Sequence, residues 1–131
     1  MSEHALAAGK TFPWHELYVP DTDQARAFYS QVLGWGVEEY PMGEMGTYTM
    51  LVANGMSVAG IMATNTPQMG HIPAHWAVYV AVDDVDATIA KAEPLGASVV
   101  VPPMDIPNVG RMALLSDPQG AHFWVYKSAS M

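Results

Sequence analysis

Apolar residues recur along this chain with two spacings, one typical of strands and one typical of helices. The same order of strand and helix patterns occurs twice. Short alternating or continuous apolar stretches predict β-strands, whereas apolar residues three and four positions apart predict helices. Each half of the sequence reads as one strand, one helix and three further strands. We place the eight strands at about residues 12–19, 35–40, 46–53, 56–63, 74–82, 97–101, 109–116 and 121–127.

The two halves also match residue by residue at their helices. A shift of 62 positions superposes Asp21 on Asp83 and Gly34 on Gly96, while the strand before each helix fits a shift of 63 better. Such a repeat indicates two copies of one supersecondary unit. The pattern predicts an α+β fold of two βαβββ modules in a single domain. Module one, a polar linker and module two are expected at residues 12–64, 65–73 and 74–127 of the domain 1–131.

The first helix has a start signal, an apolar face and a stop signal. Asp21 can cap its first turn, and Gln24 follows three residues later, which is the spacing of a capping box. Gly34 can end the helix in a left-handed conformation. The residues between these signals place one apolar face on the helix, which consists of Ala25, Phe28, Tyr29 and Val32.

Turn and cap residues mark the other boundaries. Asp83 or Asp84 can cap the second helix, and Gly96 can end it. Asn54-Gly55 predicts a two-residue hairpin turn, because both residues tolerate positive φ. The segment Asp117–Gly120 predicts the turn between the last two strands.

Composition narrows the classes of partner. The chain has 131 residues, no cysteine and a formal net charge of −8, and half of its residues are hydrophobic. An acidic protein repels phosphate backbones and anionic lipids, so we expect neither nucleic acid nor membrane as a partner. The absence of cysteine excludes disulfides and thiolate chemistry. No apolar run approaches the roughly 20 residues of a membrane span, and we see no signal peptide, so a cytoplasmic location is expected.

Three stretches together carry a family resemblance. The first runs from Leu17–Asp21 to Val32–Trp35, the second is Val82–Ala87, and the third joins Gly110–Ala113 to Asp117–Gly120. In this order they resemble the vicinal oxygen chelate superfamily, which includes glyoxalase I, bleomycin-resistance proteins and extradiol dioxygenases. The resemblance spans residues 12–127 and is greatest to the branch of glyoxalase-like domains named as hydroxylases. It implies an eight-stranded, incompletely closed barrel around one cavity, and a homodimer.

Strand alternation then indicates which side chains face that cavity. Leu17 and Val19 are aliphatic and suit the helix layer, as do Val80 and Val125. The opposite face of the strands mixes aromatic, small and hydrogen-bonding residues, which is typical of small-molecule pockets. We therefore expect the ligand-binding residues to be Trp14, Glu16, Tyr18, Gly60, His75, Ala77, Tyr79, His122, Trp124 and Tyr126.

The positions of the usual metal ligands can be transferred from the resemblance. They fall at Trp14, Gly60, Ala77 and Trp124, none of which can coordinate a divalent cation. No metal and no other cofactor is therefore expected at the usual site. A displaced site remains open, because Glu16, His75 and His122 also face inward and form a legitimate set of ligands.

Two charged residues have alternative roles. Glu16 between Trp14 and Tyr18 would lose solvation, which favours its protonated form and suits a general base. It could instead lie at a wet cavity mouth or pair with Arg111. For Arg111 an ion pair between strands is favoured over binding of an anionic ligand.

Three functions follow from these residues. The leading interpretation is a protein without the usual metal ligands that binds a small, partly aromatic organic molecule in the cavity. The first alternative is a lyase or dioxygenase that uses a displaced metal, or Glu16 as base. The second is a structural dimer subunit whose cavity is filled by Trp14 and Trp124.

Overall fold

The computed structural model describes residues 14–41, 46–64, 72–107 and 109–129, and it confirms the predicted α+β class. Two copies of the order β-α-β-β-β follow each other, as the repeat predicted. Residues 12–13 of the first predicted strand and residues 65–71 of the predicted linker lie outside the described residues. The elements are β1 Trp14–Val19, α1 Thr22–Leu33, β2 Gly36–Pro41, β3 Thr47–Ala53, β4 Met56–Ala63, β5 His75–Ala81, α2 Val85–Ala92, β6 Ser98–Ile106, β7 Gly110–Ser116 and β8 His122–Ser128.

Both modules have the same strand topology. In module one, β1 to β4, the hydrogen-bonded order is β2-β3-β4-β1, and only the β1–β4 pair is parallel. In module two, β5 to β8, the order is β6-β7-β8-β5, and β5 is parallel to β8. The chain forms two compact units, of which the first is His15–Trp76. His75 and Trp76, at the start of β5, therefore pack with module one.

Local signals place α1 as predicted. The side chain of Asp21 accepts a hydrogen bond from the backbone N–H of Gln24 at 3.0 Å, and Gly34 ends the helix with φ of 72°. Leu51, Ala59 and Ile61 form the core beneath α1, together with Val19, Tyr29, Trp35 and Val58. Removal of these aliphatic and aromatic groups from water stabilises the module.

The apolar face predicted for α1 is only partly covered. Ala25 is buried and Tyr29 packs on the core, but Phe28 and Val32 remain more than half exposed. All four residues lie in the one helix Thr22–Leu33, so their spacing places them on one face, as predicted. The position of α1 over its sheet leaves half of that face without cover.

Module two buries its helix more fully. Asp84, rather than Asp83, caps α2, and its side chain accepts from the backbone N–H of Ala87 at 2.9 Å. Val85 is almost completely buried, and Ile89 packs on the same core. The other members of this core are Ala113, Leu115, Val125, Val82, Ala92, Val99 and Phe123.

Strand β6 is longer than predicted. The expected end was residue 101, but the strand continues to Ile106 through Pro102 and Pro103. Proline lacks the N–H that a central strand requires, and it is tolerated here because β6 is the edge strand of module two. The pairing with β7 is irregular around this segment, with register shifts between Val99 and Met104.

The turn at Asn54-Gly55 has the predicted geometry. Both residues have positive φ, 54° and 79°, as a type I′ turn requires. Within the described residues, neither helix has the length and apolar character needed to cross a membrane.

Candidate functional site

One face of the module-one sheet carries a polar group in its middle. This inner face, which we define as the face opposite α1, includes Glu16 and Tyr18 from β1 and Gly60 from β4. Gly60 of β4 pairs with Glu16 of the parallel neighbour β1 and with Met50 of the antiparallel neighbour β3. Side chains in such a row point to the same face of a sheet, so β1, β3 and β4 all contribute to this surface.

The carboxylate of Glu16 is buried and hydrogen-bonded. The residue is only 6% exposed, and its Oε2 accepts a hydrogen bond from the hydroxyl of Tyr48 at 2.5 Å. Hydrogen bonds of this length are typical of a hydroxyl donating to a carboxylate. The bond offsets part of the cost of removing a carboxylate from water.

Gly60 provides the space for this pair. A Cβ atom at this position would come closer than 3.0 Å to both the Tyr48 hydroxyl and the Glu16 carboxylate. Real Cβ atoms almost never make such contacts. Gly60 was predicted as a ligand-binding position that leaves space, and the structure shows that the nearby space holds the two polar side chains.

Tyr48 was not identified from the sequence. The turn at Asn54-Gly55 alone would pair Gly60 with Thr49, which would direct Tyr48 to the opposite face. A register shift between Leu51 and Val52 moves the pairing by one residue, so that Met50 faces Gly60. Because side chains alternate along a strand, this single shift brings Tyr48 to the inner face.

An aromatic pair joins Tyr18, on the same strand as Glu16, to His75 at the start of β5. The rings of Tyr18 and His75 stack with centroids 5.3 Å apart and an interplanar angle of 14°. Nδ1 of His75 is 2.7 Å from the backbone carbonyl of Pro73, which holds the imidazole in place. The structure thus brings the predicted residues Glu16, Tyr18, Gly60 and His75 into the first compact unit.

The corresponding face of module two is aromatic and apolar at its centre. Tyr79 and Trp124 are opposite each other in register, both are buried, and their rings stack at 5.3 Å with an angle of 9°. Tyr126 meets Tyr79 edge-on and donates its hydroxyl to the backbone carbonyl of Val109 at 3.0 Å. Ala77 is buried on the same strand as Tyr79.

The remaining predicted residues are peripheral. His122 is exposed at the start of β8, and its Nδ1 lies 3.0 Å from the backbone carbonyl of Gly120. Trp14 is half-buried at the first residue of β1. The shared cavity between the modules that the resemblance implies stays a prediction, and so does the ligand-binding role of each residue.

The residues at the usual metal positions do not fit a divalent cation. Trp14, Gly60, Ala77 and Trp124 offer no carboxylate or imidazole donor. In the part of the chain that the structure describes, no group of three or more His, Asp or Glu side chains could hold a metal ion.

Arg111 has the structural role that was favoured for it. Its guanidinium donates to both carboxylate oxygens of Asp86 at 2.8 and 3.0 Å, and to Asp105 at 2.9 Å. These bonds raise the pKa of Arg111, and the Arg111 bond lowers the pKa of Asp86. The ion-pair partners of Arg111 are thus Asp86 and Asp105 of module two, and the hydroxyl of Tyr48 donates to Glu16 in module one.

Comparison with known proteins identifies related sequences over nearly the whole chain. Residues 11–125 match the model of the Glyoxalase/Bleomycin resistance protein/Dioxygenase superfamily. CFP32 of Mycobacterium bovis, named as a glyoxylase, is 46% identical over 119 residues, which are 91% of this chain and 44% of that protein. The anthracycline biosynthesis protein DnrV of Streptomyces peucetius is 33% identical over 129 residues, covering 90% of this chain and 47% of that protein. The chain therefore spans less than half the length of these curated relatives.

Solved structures show the same fold at low identity. The hypothetical protein BH1468 of Bacillus halodurans C-125 superposes with a TM-score of 0.64 at 10% identity, over 92% of this chain and 96% of that chain. Methylmalonyl-CoA epimerase of Streptomyces coelicolor superposes with a TM-score of 0.62 at 18% identity, over 94% and 97%. At these identities the likeness concerns the fold alone.

Proposed function

Because the chain belongs to the Glyoxalase/Bleomycin resistance protein/Dioxygenase superfamily, we propose that it binds a small, partly aromatic organic molecule on the inner face of module one. Protein side chains hold the molecule, rather than a metal at the usual positions. The observation that carries this proposal is the buried Glu16 carboxylate with its Tyr48 donor, in the space left by Gly60.

A comparison of the two modules supports a functional origin for this polar pair. Glu16 and Gly60 occupy the register position in module one that Tyr79 and Trp124 occupy in module two. In module two, which has the same topology, a stacked aromatic pair without any charged group lies at this register position. The fold therefore does not require a carboxylate at this place, and burial of a carboxylate is costly. A ligand that donates a hydrogen bond to Glu16 explains why the carboxylate is retained.

The surroundings of Glu16 favour a planar ligand. The stack of Tyr18, on the strand of Glu16, with His75 provides a rigid aromatic surface. Aromatic side chains bind flat organic molecules through large contact areas at little conformational cost. Met50 and Met62 lie on the neighbouring strands, in register with Gly60 and Tyr18, and add an adaptable apolar border. We infer a ligand with an aromatic ring and a phenolic, enolic or other O–H or N–H donor.

Binding can be tested with a defined set of probes. Protein purified without chelator is screened by thermal shift against phenols, naphthols, hydroxyquinones and one anthracycline, since one relative is named for anthracycline biosynthesis. A bound compound should raise the unfolding temperature by mass action. Elemental analysis of the same sample should find less than one transition metal ion per chain. A stoichiometric metal would contradict the proposed side-chain binding.

The role of Glu16 is then tested with a matched pair of variants. Glu16→Gln keeps the shape but removes the charge, and we expect it to weaken binding of the best probe by at least about tenfold. Glu93→Gln is the control, since Glu93 is exposed in the short turn after α2. Equal affinity of all three proteins, or no stabilising probe in the set, would contradict the proposal.

A second candidate function is proton transfer at the same place. The 2.5 Å bond from Tyr48 holds the Glu16 carboxylate in one orientation, as a general base requires. In this reaction Glu16 takes a proton from a carbon next to a carbonyl group and returns it. Incubation of a bound ketone in D₂O, followed by NMR, should show deuterium incorporation with the wild type but not with Glu16→Gln. If the ketone binds but takes up no deuterium, the result contradicts proton transfer by Glu16 and remains consistent with ligand binding.

A further inference from the structure

Besides the Glu16–Tyr48 pair, the first compact unit holds a second polar atom with a defined role, which is Nε2 of His75. Nδ1 of the same ring lies 2.7 Å from the backbone carbonyl oxygen of Pro73. A carbonyl oxygen only accepts hydrogen bonds, so the proton of the neutral imidazole is on Nδ1. Nε2 of neutral His75 is therefore a hydrogen-bond acceptor.

Two contacts hold this imidazole in one orientation. Tyr18 stacks on the ring, with an interplanar angle of 14°, and the bond from Nδ1 restrains rotation of the ring. Because Nε2 is across the ring from Nδ1, it points away from Pro73. Tyr18 is buried, whereas His75 is only half-buried, so the imidazole is the accessible member of the stack.

The spacing between this acceptor and Glu16 follows from the strand geometry. Glu16 and Tyr18 are two residues apart on β1 and face the same side, which separates them by about 6.7 Å. The ring of His75 lies a further 5.3 Å from the ring of Tyr18. Taken at right angles, these displacements put the Glu16 carboxylate and the His75 imidazole on the order of 8 Å apart. Hydrogen bonds of ordinary length then fit a ligand whose two donors are roughly 5–7 Å apart.

We propose that His75 is a specificity-determining residue, whose Nε2 accepts a hydrogen bond from a second donor of the ligand. This inference rests on the proposed binding of a donor-bearing aromatic molecule at Glu16, and it narrows the ligand class. The ligand is a neutral planar molecule with two hydroxyl or amino donors on opposite sides of its ring system. Two donors on adjacent carbon atoms are too close together to reach both acceptors.

Both groups select for donors on the ligand. An ionised carboxylate only accepts hydrogen bonds, at about four lone-pair positions, so Glu16 can accept one from a ligand in addition to the one from Tyr48. Nε2 of neutral His75 also only accepts. A ligand that presents an ether or carbonyl oxygen to His75 would leave two acceptors facing each other without a proton between them, which weakens binding.

The charge distribution disfavours anionic ligands. Residues 15–76 contain a single Lys or Arg, which is Arg26. Arg26 lies on α1, and its guanidinium already binds Asp23 and Glu39. An anionic ligand at Glu16 would therefore meet a like charge without a compensating cation from this unit of the chain.

Four naphthalene probes of similar size test the second contact in the whole chain by fluorescence titration. 1-Naphthol has one donor, 1,5-dihydroxynaphthalene has a second donor on the opposite side, 2,3-dihydroxynaphthalene has two adjacent donors, and 1-naphthoate is anionic. We expect the 1,5-diol to bind at least about tenfold more tightly than 1-naphthol, of which only a factor of about two comes from its symmetry. The adjacent diol should gain no more than that factor, and 1-naphthoate should bind more weakly than 1-naphthol.

A matched pair of variants assigns the gain to His75. His75→Phe keeps a flat ring against Tyr18 but removes Nε2, so we expect it to abolish the gain of the 1,5-diol and to leave the affinity for 1-naphthol unchanged. His15→Phe is the control, since His15 is exposed on β1 and alternation directs it to the opposite face from Glu16. Circular dichroism verifies that both variants are folded. Equal losses for both probes in His75→Phe would indicate a purely structural role and overturn the proposal.

Nitrogen-15 NMR of the wild type tests the same contact without a variant. Long-range proton–nitrogen spectra distinguish a protonated ring nitrogen from an acceptor nitrogen. We expect the proton of neutral His75 on Nδ1, and a shift of the Nε2 resonance on addition of the 1,5-diol that 1-naphthol does not cause. A proton on Nε2, or equal shifts with both probes, would overturn the proposal.

The results separate this inference from the proposed function. If no probe binds, or if Glu16→Gln binds 1-naphthol as tightly as the wild type does, the proposed function is contradicted, and the role of His75 with it. If 1-naphthol binds through Glu16 but the second hydroxyl adds no affinity, or adds as much in His75→Phe, only the role of His75 is overturned. Equal affinities for the two diols would refute the spacing, and equal affinities for 1-naphthoate and 1-naphthol would refute the selection of neutral ligands.

Discussion

Substitution of Gly60 by alanine is the most direct test of the polar pair. The added Cβ would come closer than 3.0 Å to the hydroxyl of Tyr48 and to the carboxylate of Glu16. Both atoms are at the ends of their side chains, so they can move, and we expect the bond between them to break when they do. The variant should fold with the Glu16–Tyr48 hydrogen bond lost and the strands β3 and β4 locally strained.

The cost follows from these two effects. A lost hydrogen bond to a buried charged group costs about 1.5–3 kcal/mol, and an extra methyl group in a packed site costs about 1–3 kcal/mol. We expect a decrease of about 3 kcal/mol in the free energy of unfolding for Gly60→Ala. For a chain of this length that corresponds to a decrease of about 10 °C in the unfolding temperature.

Circular dichroism at 222 nm as a function of temperature measures the change, and Gly36→Ala is the matched control. Gly36 also lies in a strand of module one, but its nearest neighbours would be 3.9 Å from a new Cβ. We expect Gly36→Ala to be neutral or slightly stabilising, because alanine reduces the freedom of the unfolded chain.

A double-mutant cycle identifies the cause of the loss. In a Tyr48→Ala background the ring that would overlap the new methyl group is absent, so Gly60→Ala should cost less there than in the wild type. Two results would refute this reasoning. One is an unfolding temperature of Gly60→Ala equal to that of Gly36→Ala. The other is strict additivity of Gly60→Ala and Tyr48→Ala.

Three further predictions concern single interactions. Tyr48→Phe should lower the free energy of unfolding by about 1.5–3 kcal/mol in urea titrations, whereas Tyr40→Phe, which loses an exposed bond to a glutamate, should be nearly neutral. Because Arg111 lowers the pKa of Asp86, this aspartate stabilises the fold above its unfolded pKa and ceases to do so as the pH falls through its folded pKa. Asp86→Asn should therefore destabilise the protein at about pH 6 and progressively less as the pH falls below the unfolded pKa near about 4, and a loss that does not change with pH would contradict the ion pair. Gly55→Ala should cost about 1–2 kcal/mol in the same titrations, since φ at this turn residue is 79°, and an unchanged urea midpoint would contradict this.

Much of the fold was predictable because its signals are local. Caps such as Asp21 and turns such as Asn54-Gly55 depend on hydrogen bonds and φ values within a few residues. The alternation along β1 correctly separated Val19, which packs beneath α1, from the buried Glu16 on the other face. The extension of β6 through its prolines was not predictable, because only the position at a sheet edge makes proline acceptable there.

The candidate site was predictable only in part. Strand parity selected Glu16, Tyr18 and His75, but it could not identify Tyr48, whose face depends on an irregularity in the β3–β4 register. The alternation of side chains along the strands also could not identify the ion-pair partner of Arg111. That partner, Asp86, lies on α2, and only the packing of the helix on its sheet brings the two charges together.

Taken by itself, the sequence determined the α+β class, the two βαβββ modules and the residue types at each strand face, since these depend on periodicity, caps and turns. It also showed that Trp14, Gly60, Ala77 and Trp124, at the positions that the family resemblance implies for metal ligands, cannot coordinate a cation. Only the tertiary structure decided that Tyr48 meets Glu16 over Gly60, and that Phe28 and Val32 remain exposed. The physical reason is the same in both cases. Register between strands and the position of a helix over a sheet are set by contacts between distant segments, which no local pattern specifies.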